Sequence, residues 1–138
     1  MILASLALAA GQPITCQVAS VHDGDTLRCG DGTRIRLQGI DANELDGSCH
    51  NRCAAVDALG AKHNLEKLAL GKVATCVPTG RSYRRVTAWC SISGHGSRIQ
   101  DLSCAQVALG AAVIWRRFDP EHRLDRSAAT QLGSIATS

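Results

Sequence analysis

The element order read from this sequence is β-β-β-α-β-β-α-α. It predicts an α+β, mainly β fold: a five-stranded barrel of OB type with three helices. Three observations carry that prediction. Ile14 to Val21 (ITCQVASV), Thr26 to Cys29 and Thr33 to Ile40 (TRIRLQGI) are short β-rich runs joined by tight turns. A stretch from about Cys53 to Leu70 has the three- and four-residue apolar period of a helix. Two more β-rich runs, Val73 to Val77 and Val86 to Ile92, follow that helix.

Each element has a local reason. His22-Asp-Gly-Asp25 and Asp31-Gly32 are Asp-Gly turns, and the second favours the positive φ of a tight hairpin. In the third strand Ile35 and Leu37 face one side, while Arg34, Arg36 and Gln38 face the other. Ala54, Ala58, Ala61, Leu65 and Leu68 mark the apolar face of the first helix, which Gly71 ends. A Gly-rich turn covers Gly94 to Ser97. Asp101 or Ser103 caps a second helix that stops at Gly110. Ala111 to Phe118 reads as an irregular connection. Pro120 suits the first turn of a third helix reaching about Leu132.

The chain has 138 residues, the size of one compact domain, which we place at 12–133 with a frayed tail at 134–138. Hydrophobic residues make up 45% but aromatic ones only 3%, so aliphatic side chains and Ala must fill the core. No apolar run approaches the roughly 20 residues needed to cross a bilayer. Residues 1–11 are treated as the remnant of a signal peptide, because MILASLALAA ends in small residues like a secretory cleavage site. The net charge of +3 does not by itself imply a nucleic-acid partner. Its make-up, 12 Arg against 3 Lys, favours bidentate contacts to phosphate or carboxylate oxygens.

Seven cysteines in so short a chain point to an oxidising compartment, secreted or periplasmic. No zinc-ribbon spacing is present. The strand reading places Cys16 opposite Cys29 and Cys76 opposite Cys90, while Cys49 and Cys53 can bridge ahead of the first helix. Cys104 is left over as a buried thiol. His22, His50, His63, His95 and His122 show no ligand spacing.

Asp25 starts the second strand and Asp41 ends the third, so antiparallel pairing brings the two carboxylates together. Two carboxylates with no adjacent Cys or His suit a hard cation such as Ca²⁺. Arg36 on the polar face and Glu44 in the following loop supply a phosphate-binding cation and a carboxylate able to act on water.

Val21-His-Asp-Gly-Asp-Thr-Leu-Arg28, Arg34-Ile-Arg-Leu-Gln-Gly-Ile-Asp-Ala-Asn-Glu44, Tyr83-Arg-Arg85 and Val107 to Ala112 (VALGAA) occur in consistent order. Together they resemble staphylococcal nuclease and its bacterial homologues. The resemblance implies calcium-dependent hydrolysis of DNA and/or RNA that leaves 3′-phosphate ends. Carried over by position, Asp25 and Asp41 would bind calcium with the backbone carbonyl of Ala42. Arg36 and Arg85 would hold the scissile phosphate, Glu44 would act on the attacking water, and Tyr83 would lie near the nucleotide. A monomer acting on a nucleic-acid substrate away from membranes is expected. The alternative is a nuclease-like binding module with little or no catalysis. Asn43 stands where the family has Pro. Arg84 stands where it has Gly, a position that would strain Arg if it needs a positive φ. Arg116 and Phe118 stand where the family has two tyrosines near the nucleotide.

Overall fold

The computed structural model describes residues 11–93 and 98–125. The predicted signal remnant lies almost wholly outside them, as do the Gly-rich turn, the tail and most of the third predicted helix.

Eight strands are present among the described residues, not five. β1 (Ile14–Asp23), β2 (Thr26–Cys29) and β3 (Arg34–Leu37) form the predicted antiparallel meander, and β4 (Ile40–Asp41) follows. After helix α1 (Ala58–Ala69) come β5 (Val73–Ser82), β6 (Arg85–Ser93) and β7 (Ile99–Asp101). Helix α2 (Leu102–Ala108), β8 (Val113–Ile114) and a 3₁₀ turn (Arg116–Phe118) complete the order. Residues 123–125 are also helical.

The α+β class holds, but the expected five-stranded OB-type barrel is corrected. The fold is a six-stranded, mostly antiparallel sheet in the order β3-β2-β1-β5-β6-β7, with β4 and β8 forming a separate two-stranded sheet. The sheet is strongly curled. The start of β6 (Val86 to Ala88) lies parallel to β3, and the end of β6 (Ser91 to Ser93) pairs with β7. β7 continues past that junction as an added edge. Three-residue β7 and two-residue β4 and β8 are too short to show the alternation that reveals a strand in sequence.

The predicted third strand breaks at Gly39, where φ is +81°. A Cβ there would come within 2.8 Å of the Trp89 ring, so only glycine fits this bend. The first helix begins at Ala58 rather than Cys53. Asp57 caps it, accepting a bond from the Gly60 N–H at 2.8 Å. The preceding segment is held out of the helix by Asn43. Its Oδ1 accepts from the Ala54 N–H at 2.7 Å, and its Nδ2 donates to the Ala54 and Val56 carbonyls at 3.2 Å. Asp101, not Ser103, caps α2. Ser103 instead donates to the Gln38 carbonyl at 2.8 Å.

The core lies between the curled sheet and the two helices. Val18, Leu27, Ile35 and Leu37 point inward from the strands, and Ala61, Leu65 and Leu102 meet them from α1 and α2. Each buried Leu or Ile contributes roughly 1.5–3 kcal/mol. All three predicted disulfides form: Cys16–Cys29, Cys49–Cys53 and Cys76–Cys90. Such bridges typically stabilise by about 2–4 kcal/mol each. Cys104 is buried on α2. Among the described residues no helix is long and apolar enough to cross a membrane.

Candidate active site

The β1–β2 turn is fixed from below. A Cβ on Gly24 would sit 2.6 Å from the Ala61 Cβ and 2.7 Å from the Ala42 Cβ, so the turn packs directly on α1 and on the chain after β4. Fully buried Gln106 on α2 ties it further. Its Nε2 donates to the Gly24 carbonyl at 2.7 Å and to the Ala61 carbonyl at 3.0 Å, and its Oε1 accepts from Asn64. This anchoring delivers Asp25 to the site.

Asp25 is buried. Its Oδ2 accepts the Ala42 N–H at 3.0 Å, and its Oδ1 accepts the Thr26 hydroxyl at 3.1 Å. Burial pushes its pKa up to about 6; Arg36 opposes that rise, and neighbouring Asp23 adds to it. Arg36 enters from β3. Its Nη1 donates to the Leu37 and Ile40 carbonyls at 3.0 and 2.8 Å. Its Nη2 lies 3.4 Å from Asp25 Oδ2 and 3.5 Å from Asp41 Oδ1. One guanidinium thus stands between the two carboxylates that sequence reading brought together.

Asp41 is only 1% exposed. Its Oδ2 accepts the Asn51 N–H at 3.3 Å, but its Oδ1 is buried with no hydrogen-bond partner. A buried carboxylate oxygen without a hydrogen bond is costly unless a cation stands near it, as Arg36 Nη2 does here at 3.5 Å. Two groups stand close by. His50 Nδ1 lies 3.5 Å from Asp41 Oδ1 and 3.3 Å from Glu44 Oε1. The ligand atoms of Asp41, Glu44 and His50 fall within 4.8 Å of one another, from a buried Asp, a half-buried Glu and an exposed His. This cluster can coordinate a divalent metal ion. Its nitrogen donor is not the all-oxygen set that Ca²⁺ favours.

His50 is the member of this cluster that sequence spacing missed. It follows Cys49 directly, inside the Cys49–Cys53 bridge, and its ring stacks on Trp115 with centroids 6.2 Å apart. The bridge was the available signal, because it constrains the chain around His50, which lies against carboxylates six and nine residues earlier, Glu44 and Asp41.

Arg85 reaches the same region from β6. Its Nη1 donates to Thr26 Oγ1 and its Nη2 to Ser82 Oγ, both at 3.3 Å. Thr26 therefore touches Asp25 on one side and Arg85 on the other. Arg36, Glu44, His50, Arg85, Trp115 and Phe118 line one cleft of about 590 Å³. Asp25 and Asp41 are buried against Arg36 rather than lining it. Ala42 is adjacent, with its N–H committed to Asp25. Tyr83 lies on the cleft rim and is 94% exposed. It carries a φ of +57°, whereas Arg84, where strain was expected, does not have a positive φ.

No protein-family model matches this sequence, and no curated protein matches it either. The resemblance to staphylococcal nuclease rests on the quoted residues, and the fold-level word attached to it, an OB-type barrel, is corrected by the sheet described above.

Proposed function

We propose that this chain is a metal-dependent phosphodiesterase that cleaves DNA or RNA and leaves 3′-phosphate ends. The observation that carries the reading is the meeting of Arg36, Glu44 and Arg85 in one cleft, next to a carboxylate cluster in which Asp41 Oδ1 is buried without a hydrogen bond. Arg36 and Arg85 are permanent cations placed to bind the non-bridging oxygens of a phosphodiester and to neutralise charge that grows in the transition state. Glu44 is half-buried at the cleft wall and can accept a proton from water attacking phosphorus. The bond from phosphorus to the 5′ oxygen breaks, and the phosphate stays on the 3′ side.

Asp41 and Asp25 are the carboxylates that would hold the cation, with Glu44 and His50 beside Asp41. The bound ion would polarise the phosphate and favour hydroxide formation. Ca²⁺ is the ion that the paired carboxylates and the resemblance favour. Three disulfides fit an exported enzyme.

Degradation of single-stranded DNA and of RNA by oxidised protein, with Ca²⁺ and with chelator, tests the reading. Calcium-dependent cleavage is expected. Glu44→Gln should cut turnover by roughly 10²–10⁴-fold with little change in substrate affinity. Binding without any metal-dependent cleavage would leave a binding module instead.

A further inference from the structure

The cleft does not end at Arg85. Tyr83 and Arg85, which line it, also line a neighbouring hollow of about 430 Å³ that includes Arg34 and Arg84. That hollow shares His22, Thr26 and Arg34 with a smaller one of about 170 Å³, where Arg28 and Lys62 stand. Their shared lining residues make the three hollows neighbours in a row, from the cleft, past the Tyr83 hairpin and β2 and β3, to Lys62 on α1. Beyond the cleft, neither lining contains an Asp or Glu.

Arg28, Arg34, Lys62 and Arg84 make no ion pair; among the described residues the arginines in ion pairs are Arg36, Arg116 and Arg123. Glu66, one helical turn beyond Lys62, is not paired with it. Among the described residues, four cations without an ion pair thus line two adjoining hollows. Their positions are set by register. Arg28 lies directly opposite Arg34, and Thr26 opposite Arg36. Arg34 and Arg36 share one strand face two residues apart, a rise of roughly 6.6–6.8 Å. That step is close to the separation of successive phosphates in an extended strand.

We propose that this path is a binding groove for the continuation of a single-stranded polynucleotide whose scissile phosphate sits in the cleft. Arg34, Arg28 and Lys62 hold successive phosphates, and exposed Tyr83 offers a ring face for a base where the strand leaves the cleft. A single strand is favoured over a duplex because Arg36 is recessed, with a side chain only 13% exposed. A phosphate held in a stacked duplex cannot reach it without fraying. The identity of the polyanion rests on the proposed function, but the groove's binding does not require turnover.

The test is binding of a fluorescent oligothymidine of about 20 nucleotides in chelator, followed by anisotropy across a salt series. For R28A/R34A/K62A we expect affinity to fall by about 10-fold or more, and the salt slope to shrink by about 2, or 0.7 for each lost phosphate contact. Arg84→Glu, on the β5–β6 hairpin and exposed, is an independent second variant and should weaken binding in the same direction. Metal-dependent cleavage of a dinucleotide, too short to leave the cleft, should be unchanged in the triple variant. Unchanged oligonucleotide affinity and slope in both variants would overturn the groove, as would equal losses on the dinucleotide. A same-length duplex that binds more tightly than the single strand would also overturn it. Absence of cleavage by the wild type would sink the phosphodiesterase reading while leaving the anisotropy result to decide the groove.

Discussion

The cleft has two walls of opposite character. On one, Arg36 is locked by two carbonyls at 2.8 and 3.0 Å and backed by the buried carboxylates of Asp25 and Asp41. On the other, the β5–β6 hairpin presents exposed Arg81, Tyr83 and Arg84, and Arg85 is held only by two hydroxyl contacts at 3.3 Å. The first wall is preorganised: Arg36 commits Nη1 to backbone carbonyls, while Nη2 stands at ion-pair distance from the carboxylates. The second keeps its donors for whatever enters. A fixed wall sets where a reacting phosphate lies, and an adaptable one can follow the shape of the strand attached to it.

The sharpest way to break this comparison is to alter the two arginines. Arg36→Ala should lower cleavage by about 10²–10³-fold, as loss of a preorganised charge contact does. It should also destabilise metal-free protein by about 3 kcal/mol, since two buried carboxylates lose their counter-charge. A divalent cation should restore part of that stability. Arg36→Lys should be nearly as damaging, because an ammonium cannot reach two carbonyls and two carboxylates together. Arg85→Lys should retain much more activity. Steady-state cleavage and urea unfolding, with and without chelator, read both effects. Equal losses for the two lysine variants would show that the walls do not differ in this way.

The fixed wall was also the legible one. Asp-Gly turns, strand alternation and the Asp25 to Glu44 motif placed Asp25, Arg36, Asp41 and Glu44 together before any coordinates, because local rules govern those turns. Cys16–Cys29 and Cys76–Cys90 followed from strand order for the same reason, and Cys49–Cys53 from its short spacing. What escaped was set by distant contacts. Gln106 anchors the Asp25 turn from α2, and Asn43 fastens the Glu44 loop to the segment before α1, where a Pro would have stiffened it locally. β4, β7 and β8 owe their existence to partners rather than to pattern. Without them the sequence read as a five-stranded barrel.

The buried wall should also respond to pH. In the metal-free protein Asp25 has its pKa raised from 3.8 to about 6 by burial. The folded state therefore binds this proton more tightly than the unfolded chain does. The stabilisation is complete below pH 4 and is lost as pH rises through about 6. The shift corresponds to about 2–3 kcal/mol. Asp25→Asn removes it, so in chelator the variant should gain stability relative to wild type between pH 4 and pH 7. Exposed Asp31, Asp46 and Asp125 have lowered pKa values and pull the other way in both proteins, so they cancel in the difference. Urea midpoints at the two pH values check it. A difference that stays flat with pH would mean that Asp25 is not desolvated in solution.

His50 lies where the fixed wall meets solvent, and its contribution should be smaller and selective. Removing the imidazole takes the only nitrogen from the Asp41, Glu44 and His50 donor set. His50→Ala should weaken Mn²⁺ binding by about 10-fold, the lower end of what loss of a supporting group costs a metal site. Ca²⁺ binding should change less, because calcium takes oxygen ligands. Titration calorimetry with each ion separates the two. Equal weakening would assign His50 to holding Glu44 in place rather than to the ion.

The smallest effect belongs to the tip of the adaptable wall. Tyr83 adopts a φ of +57°, a conformation costing a non-glycine residue roughly 1–2 kcal/mol, and its side chain is 94% exposed, so it has almost no packing to lose. Tyr83→Gly should therefore be neutral or stabilising by up to about 1 kcal/mol in thermal unfolding, the gain being offset by glycine's greater freedom in the unfolded chain. Arg84→Gly relieves no such strain and should destabilise slightly. The position that needs glycine's freedom is thus one residue earlier than the motif suggested. If Tyr83→Gly preserves stability but weakens binding of a long single strand, the exposed ring is kept at this strained tip for its contact with the substrate. If binding is unchanged as well, the hairpin tip is only a turn, and the adaptable wall begins at Arg84.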